Sequence, residues 1–226
     1  MEKPRLSDEE RNALLKVFRK EELAEEEKEI VENAREKDLA IKNWYKENEI
    51  DVYVAGLLDV SEFSHFDSVE ELFEHYGYNV YSPASFIDSR EGKGEMDFLA
   101  LRKARVLLAK LKRGGNGAYS LGTSLELGYY LAAHENDDGV VILYYEKGPE
   151  GKDIYKGNIH TYDYLKYFSP VHARIHVTDS IETAIKDALA HLEGRAEYEE
   201  VLIKDEITGK EYKARKCNIC GTVVYP

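Results

Sequence analysis

Val106-Leu107-Leu108-Ala109-Lys110-Leu111 opens a run that continues through Gly114-Gly115-Asn116-Gly117, Ser120-Leu121-Gly122-Thr123-Ser124-Leu125-Glu126-Leu127-Gly128-Tyr129 and Val140-Val141-Ile142-Leu143-Tyr144. The first and last segments are short apolar runs bounded by turn residues, which is the pattern of buried strands. The glycines between them mark a loop. The segment from Gly122 to Ala133 reads as a helix, so the whole run is a strand–helix–strand unit and implies parallel strands.

The same alternation extends in both directions. Val52-Tyr53-Val54-Ala55-Gly56-Leu57 reads as a buried strand ending in a turn. Val69 to His75 follows as a helix with Phe73 on its inner face. Tyr78-Asn79-Val80-Tyr81 is a short second strand closed by Ser82-Pro83, and residues 95 to 104 form another helix. Past the fourth strand, residues 146 to 170 are rich in Gly, Tyr and Lys and read as a long loop. Arg174-Ile175-His176-Val177 is a fifth strand, and Ser180 caps a closing helix that ends at Leu192. Strands alternating with helices predict an α/β fold: a five-stranded parallel sheet covered on both faces.

The two ends have a different character. Residues 1–48 read as a helical extension, with Ser7 and Glu10 in capping-box spacing and Leu14 and Phe18 at helical spacing. Leu23, Ile30, Ala34, Ile41 and Trp44 fall near one face of a second helix, and Glu25-Glu26-Glu27 lies on its solvated side. Residues 49–194 hold the α/β domain. Residues 195–226 predict a hairpin turning near Thr208-Gly209 and leading into Cys217-Asn218-Ile219-Cys220.

Composition narrows the function classes. A net charge of −13 supplies no basic field for a nucleic acid polymer, although it leaves room for a single nucleoside or nucleotide. No apolar run approaches the roughly 20 residues that span a bilayer, so no membrane partner is expected. Met1-Glu2-Lys3-Pro4-Arg5 leads into acidic helix rather than an apolar signal core, and the expected location is cytoplasmic. Glu and Lys are abundant and Gln is absent, a balance of the thermophilic type.

The chemistry-bearing residues cluster by topology. In open parallel sheets ligands bind beyond the carboxyl ends of the strands. The turn after Tyr53, the helix carrying Asp97 and the helix start from Ser120 to Glu126 should meet there. A helix start offers free N–H groups and partial positive charge to an anionic or polar ligand. A phenol and two carboxylates suit glycosidic bond cleavage, one acid attacking or shielding the anomeric carbon while the other serves the leaving group. Each residue also has a plain structural role open to it: Tyr53 is one of 17 tyrosines, and Asp97 and Glu126 sit where acids compensate helix dipoles.

The order Tyr53-Val54-Ala55-Gly56, Gly77-Tyr78-Asn79-Val80 with Pro83, Asp97, then Gly122-Thr123 with Glu126-Leu127-Gly128-Tyr129 resembles the nucleoside 2-deoxyribosyltransferase family over roughly residues 51 to 190. The resemblance implies a flavodoxin-like (Rossmann-like) sheet and a homo-oligomer whose sites borrow residues from a neighbouring subunit. It implies Glu126 as nucleophile, Asp97 in leaving-group chemistry and base binding, and Tyr53 orienting Glu126. Gly56, Gly122 and Thr123 fall at substrate-binding positions, and Asn158 matches a borrowed asparagine. No cofactor is implied for catalysis. Where many family transferases carry an aspartate, this chain has Ser120. Ser120-Leu121-Gly122 instead resembles the related 2′-deoxynucleoside 5′-monophosphate N-glycosidases, in which serine and glycine help bind the 5′-phosphate. Those hydrolases also carry a serine and an arginine in the first turn, where this chain has Leu57 and Asp59. Arg90 or Lys93 would have to supply the missing cation. Arg105 stands where the family commonly has an aspartate. Three functions stay open: transferase, hydrolase, and a non-catalytic nucleotide-binding sensor.

Cys217 and Cys220, with Gly221, form one knuckle of a zinc-ribbon type. A structural zinc needs four ligands. Histidines or a second subunit would complete the set; otherwise the pair is two reduced surface thiols.

Overall fold

The computed structural model describes residues 3–56, 58, 60–87, 93–111, 121–135, 139–145, 175–204 and 209–224. Two helices lead, α1 (Asp8–Arg19) and α2 (Glu25–Glu47). The α/β body follows as β1 (Val52–Ala55), a short 3-10 turn (Val60–Glu62), α3 (Phe63–His75), β2 (Val80–Tyr81), α4 (Lys93–Lys103), β3 (Val106–Leu111), α5 (Leu121–Ala133), β4 (Val140–Tyr145), β5 (Ile175–Thr178) and α6 (Ile181–Leu192). The chain closes with β6 (Tyr198–Lys204), β7 (Glu211–Cys217) and β8 (Val223–Val224).

The five strands β1 to β5 form one parallel sheet in the order β2-β1-β3-β4-β5, a flavodoxin-like arrangement. β1, β2 and the first five residues of β3 are buried nearly throughout. Both faces of the sheet are covered, which is why these strands read as unbroken apolar runs. The chain turns from one side of β1 to the other between β2 and β3, so the crevice between the β1 and β3 ends is the topological switch point.

Local chemistry explains the element ends. Ser7 and Glu10 close a reciprocal capping box on α1. Ser180 Oγ accepts the Thr183 N–H at 3.2 Å and starts α6. The predicted strand at Tyr78 begins only at Val80, because Asn79 donates its N–H to the Asp51 carboxylate at 2.9 Å rather than to a ladder. α3 starts at Phe63, well before Val69, since Phe63 and Phe66 carry its buried face back to the 3-10 turn.

The N-terminal helices pack on the body. Ala34 and Ile41 are buried, Leu23, Ile30 and Trp44 lean on the core, and Val31 and Tyr45 join them. Phe18 is 49% exposed, contrary to its spacing from buried Leu14, because it lies in the last turn before α1 ends at Lys20. Lys3 Nζ reaches Glu70 at 2.6 Å and the Val80 carbonyl at 2.8 Å. Arg11 clasps Asp67 with two nitrogens at 2.7 and 2.8 Å. Lys103 Nζ donates to the carbonyls of Tyr45, Lys46 and Asn48 at 2.8–2.9 Å and so caps the C-terminus of α2. Lys103→Met should cost about 1–3 kcal/mol, seen as a lower denaturation midpoint with unchanged slope.

The C-terminal segment is a three-stranded antiparallel sheet, β6-β7-β8, rather than a hairpin alone. Thr222 Oγ1 lies on the edge of β5, accepting the Val177 N–H at 2.9 Å and donating to its carbonyl at 3.1 Å. Among the described residues no helix is long and apolar enough to cross a membrane.

Candidate active site

Two tyrosines on adjacent strands make the floor of the site. Tyr53 and Tyr81 are register partners in β1 and β2, so their side chains leave the same face of the sheet. Their rings stack with centroids 5.2 Å apart. Each hydroxyl donates to one carboxylate. Tyr53 donates to Glu126 Oε1 at 2.8 Å, and Tyr81 donates to Asp97 Oδ1 at 2.6 Å. Glu126 comes from the second turn of α5 and Asp97 from the second turn of α4. Both acids are half-buried, while both phenols are fully enclosed.

The electrostatics follow from this pairing. Burial first, then the nearby charges of Glu126 and Asp97, hold the Tyr53 hydroxyl well above its ordinary value. Burial and then Asp97 do the same for Tyr81. Both phenols therefore stay protonated donors through the physiological range. A fixed donor on each acid limits its rotation. Carboxylates so held can act as nucleophile, electrostatic shield or base.

Tyr81 is the residue that sequence reading missed. Its signal emerges only once β2 is paired with β1, when Tyr81 falls in register with Tyr53 and the two share a face. Tyr45 of α2 packs edge-on against Tyr81 at 4.9 Å and anchors its own hydroxyl to the Val80 carbonyl at 2.9 Å. The layer behind the acids is thus Tyr45, Tyr81 and Tyr53 in sequence.

The other predicted positions are placed as follows. Gly56 follows β1 and is enclosed; a Cβ there would lie 3.3 Å from the Phe66 ring. Gly122 is exposed and Thr123 buried in the first turn of α5. Leu125 is 62% exposed, because successive helix residues diverge by about 100° and the inward side is taken by Thr123, Tyr130 and Leu131. Arg105 lies at the start of β3, at the opposite sheet end, bonded to the Leu192 carbonyl at 2.9 Å with Asp51 3.8 Å away. Ser120, Asn158, Leu57, Asp59 and Arg90 lie outside the described residues, as do the loops 114–117 and 146–170; Lys93 opens α4. On the other face of the sheet, Lys110 near the end of β3 forms a buried ion pair with Glu62 at 3.0 Å.

A second cluster stands at the far edge. His176 of β5, Asp187 of α6, Cys217 and Cys220 bring one ligand atom each to within 4.8 Å of one another, a group able to hold a metal ion. The cysteines are not a surface pair: Cys217 is 1% exposed. Hydrogen bonding from Cys220 first, and from His176, draws the Cys217 thiol down, whereas the bond to Cys217 and burial push Cys220 up. The partners come from this chain, and one of them, Asp187, is an acid on the buried face of α6 between Ala184 and Ala188.

Comparison with known proteins returns no match to any family model, curated protein or solved structure. The site geometry therefore carries the functional argument.

Proposed function

We propose that this protein is an N-glycosidic-bond enzyme of the nucleoside 2-deoxyribosyltransferase type, acting on 2′-deoxynucleosides or their monophosphates. The observation that carries the reading is the pair of phenol–carboxylate contacts, Tyr53 to Glu126 and Tyr81 to Asp97, on stacked rings beside the switch point. Such sites require one acid to attack and a second to serve the leaving base, and these two arrive on different helices, each held by its own phenol.

In this reading a Glu126 carboxylate oxygen bonds to C1′ of the sugar as the C1′–N bond breaks. The bonding pair leaves with the base nitrogen, which takes a proton delivered at Asp97. Tyr53 holds Glu126 in one rotamer throughout. In the second step a nucleophile opens the glycosyl–Glu126 ester from the opposite face and gives its proton to the Asp97 carboxylate, restoring both acids with net retention. A second base as nucleophile makes the reaction a transfer; water makes it a hydrolysis.

The test is incubation with a 2′-deoxynucleoside, and separately its 5′-monophosphate, with and without an acceptor base. A new nucleoside that forms only with acceptor identifies the transferase. Equal base release in both arms, with no new nucleoside, identifies the hydrolase. Tight ligand binding with no turnover of any substrate refutes the enzymatic reading and leaves the sensor.

A further inference from the structure

We propose that His176, Asp187, Cys217 and Cys220 form a closed structural zinc site that fastens the C-terminal sheet to the edge of the α/β body. The four donors come from three places in the fold: β5, α6 and the knuckle between β7 and β8. Cys220 Sγ lies 3.4 Å from His176 Nδ1, and Cys217 Sγ lies 3.4 Å from Asp187 Oδ1. Tetrahedral zinc with its usual sulfur, nitrogen and oxygen distances separates such ligand atoms by about 3.5 Å. The His176–Asp187 contact, at 2.6 Å, is shorter and would open slightly around an ion.

The donor directions separate this arrangement from a catalytic cysteine. In a nucleophile triad the acid and the nucleophile occupy opposite nitrogens of the imidazole. Here both Asp187 and Cys220 converge on Nδ1. The other nitrogen, Nε2, faces the Tyr198 hydroxyl at 2.9 Å. With Nδ1 on a metal, Nε2–H donates to Tyr198, the outer hydrogen bond that fixes a ligating histidine's tautomer and ring plane. The knuckle is built for thiolates as well. The Ile219 N–H points at Cys217 Sγ at 3.4 Å, and Gly221 takes a φ of 72° that lets the chain turn back.

Burial makes a cation the natural occupant. The side chains of His176 and Asp187 are fully enclosed, and Cys217 nearly so. Two sulfurs, an imidazole nitrogen and a carboxylate oxygen, all within 4.8 Å of one another, converge on one enclosed volume that a cation can fill. Zinc suits two sulfurs, one nitrogen and one oxygen, and with four protein ligands no position is open for substrate. β5 lies three strands from β1, about 14 Å across the sheet, so the ion is remote from Tyr53. Its role is to hold Thr222 against β5, the end strand of the sheet among the described residues.

The test uses the full chain, untagged, and reads metal and stability rather than activity. Elemental analysis should find about one zinc per chain. After chelation the melting temperature should fall by about 5–10 °C and return on adding zinc. Cobalt should bind the chelated chain with tetrahedral d–d bands and thiolate charge transfer. Asp187→Asn should weaken cobalt binding by about 100-fold, and Tyr198→Phe by about 10-fold. Chain that is metal-free as purified and binds neither zinc nor cobalt overturns the proposal, as does an octahedral cobalt spectrum. A Cys217–Cys220 disulfide in metal-free chain also overturns it and points to a redox pair. Because none of these readouts involves a nucleoside, they stand or fall separately from the proposed reaction.

Discussion

Glu126→Ala should abolish the proposed turnover: base release from a deoxynucleoside substrate is expected to fall by about 10³-fold or more, beyond 4 kcal/mol of transition-state stabilisation. The size follows from the role. Among the described residues the other acid of the site, Asp97, is held by a different phenol and comes from a different helix, so it is not placed to replace the proposed nucleophile. The substitution leaves the helix intact because alanine is the best helix former. It does strip the buried Tyr53 hydroxyl of its acceptor, at about 1–3 kcal/mol of stability. Glu126→Gln separates the two effects, for its amide oxygen still accepts from Tyr53 while the nucleophile is gone. Mass spectrometry of quenched reactions should show a glycosyl adduct on the native chain and none on either variant. Full turnover by Glu126→Ala would end the nucleophile assignment.

Tyr53→Phe should lower kcat by about 10²-fold with little change in KM. The phenol does not touch substrate in this scheme; it restrains the carboxylate that does, and a positioned donor of this kind is worth about two powers of ten. A second signature distinguishes this from general damage. The buried Tyr53 hydroxyl ionises far above its ordinary value, chiefly through burial and then through the two acids. The unfolded chain's phenol ionises near 10. Between those two points the unfolded state loses a proton that the folded state keeps, so stability falls as pH rises past about 10, and below that this group adds no pH dependence. Tyr53→Phe should therefore flatten the alkaline end of the stability profile while leaving its acid side unchanged. An unaltered alkaline slope together with unaltered kcat would remove Tyr53 from the site.

What was legible in the sequence was what repeats locally. Val106 to Leu111 is a strand because it is an unbroken apolar run between turn residues, and it is observed with those bounds. Ser180 announces α6 because a cap and its target amide lie three residues apart. Tyr53, Asp97 and Glu126 could be singled out because the ends of parallel strands are where loops converge. The missed residues depend on distant partners. Tyr81 is informative only once β2 is known to pair with β1 in register with Tyr53. His176 and Asp187 look like stray polar residues in apolar periodicity until β5, α6 and the knuckle meet. Phe18 fails in the other direction, since periodicity reports a face but not whether anything covers it.

The contact of Tyr45 with Tyr81 gives the N-terminal helices a stake in the chemistry. Shortening the protein to its sheet and flanking helices would strip away the wall behind the second acid. A trimmed version that still folds should then hold Asp97 more loosely, and any loss of rate in the proposed reaction would trace to a segment outside the pair of acids.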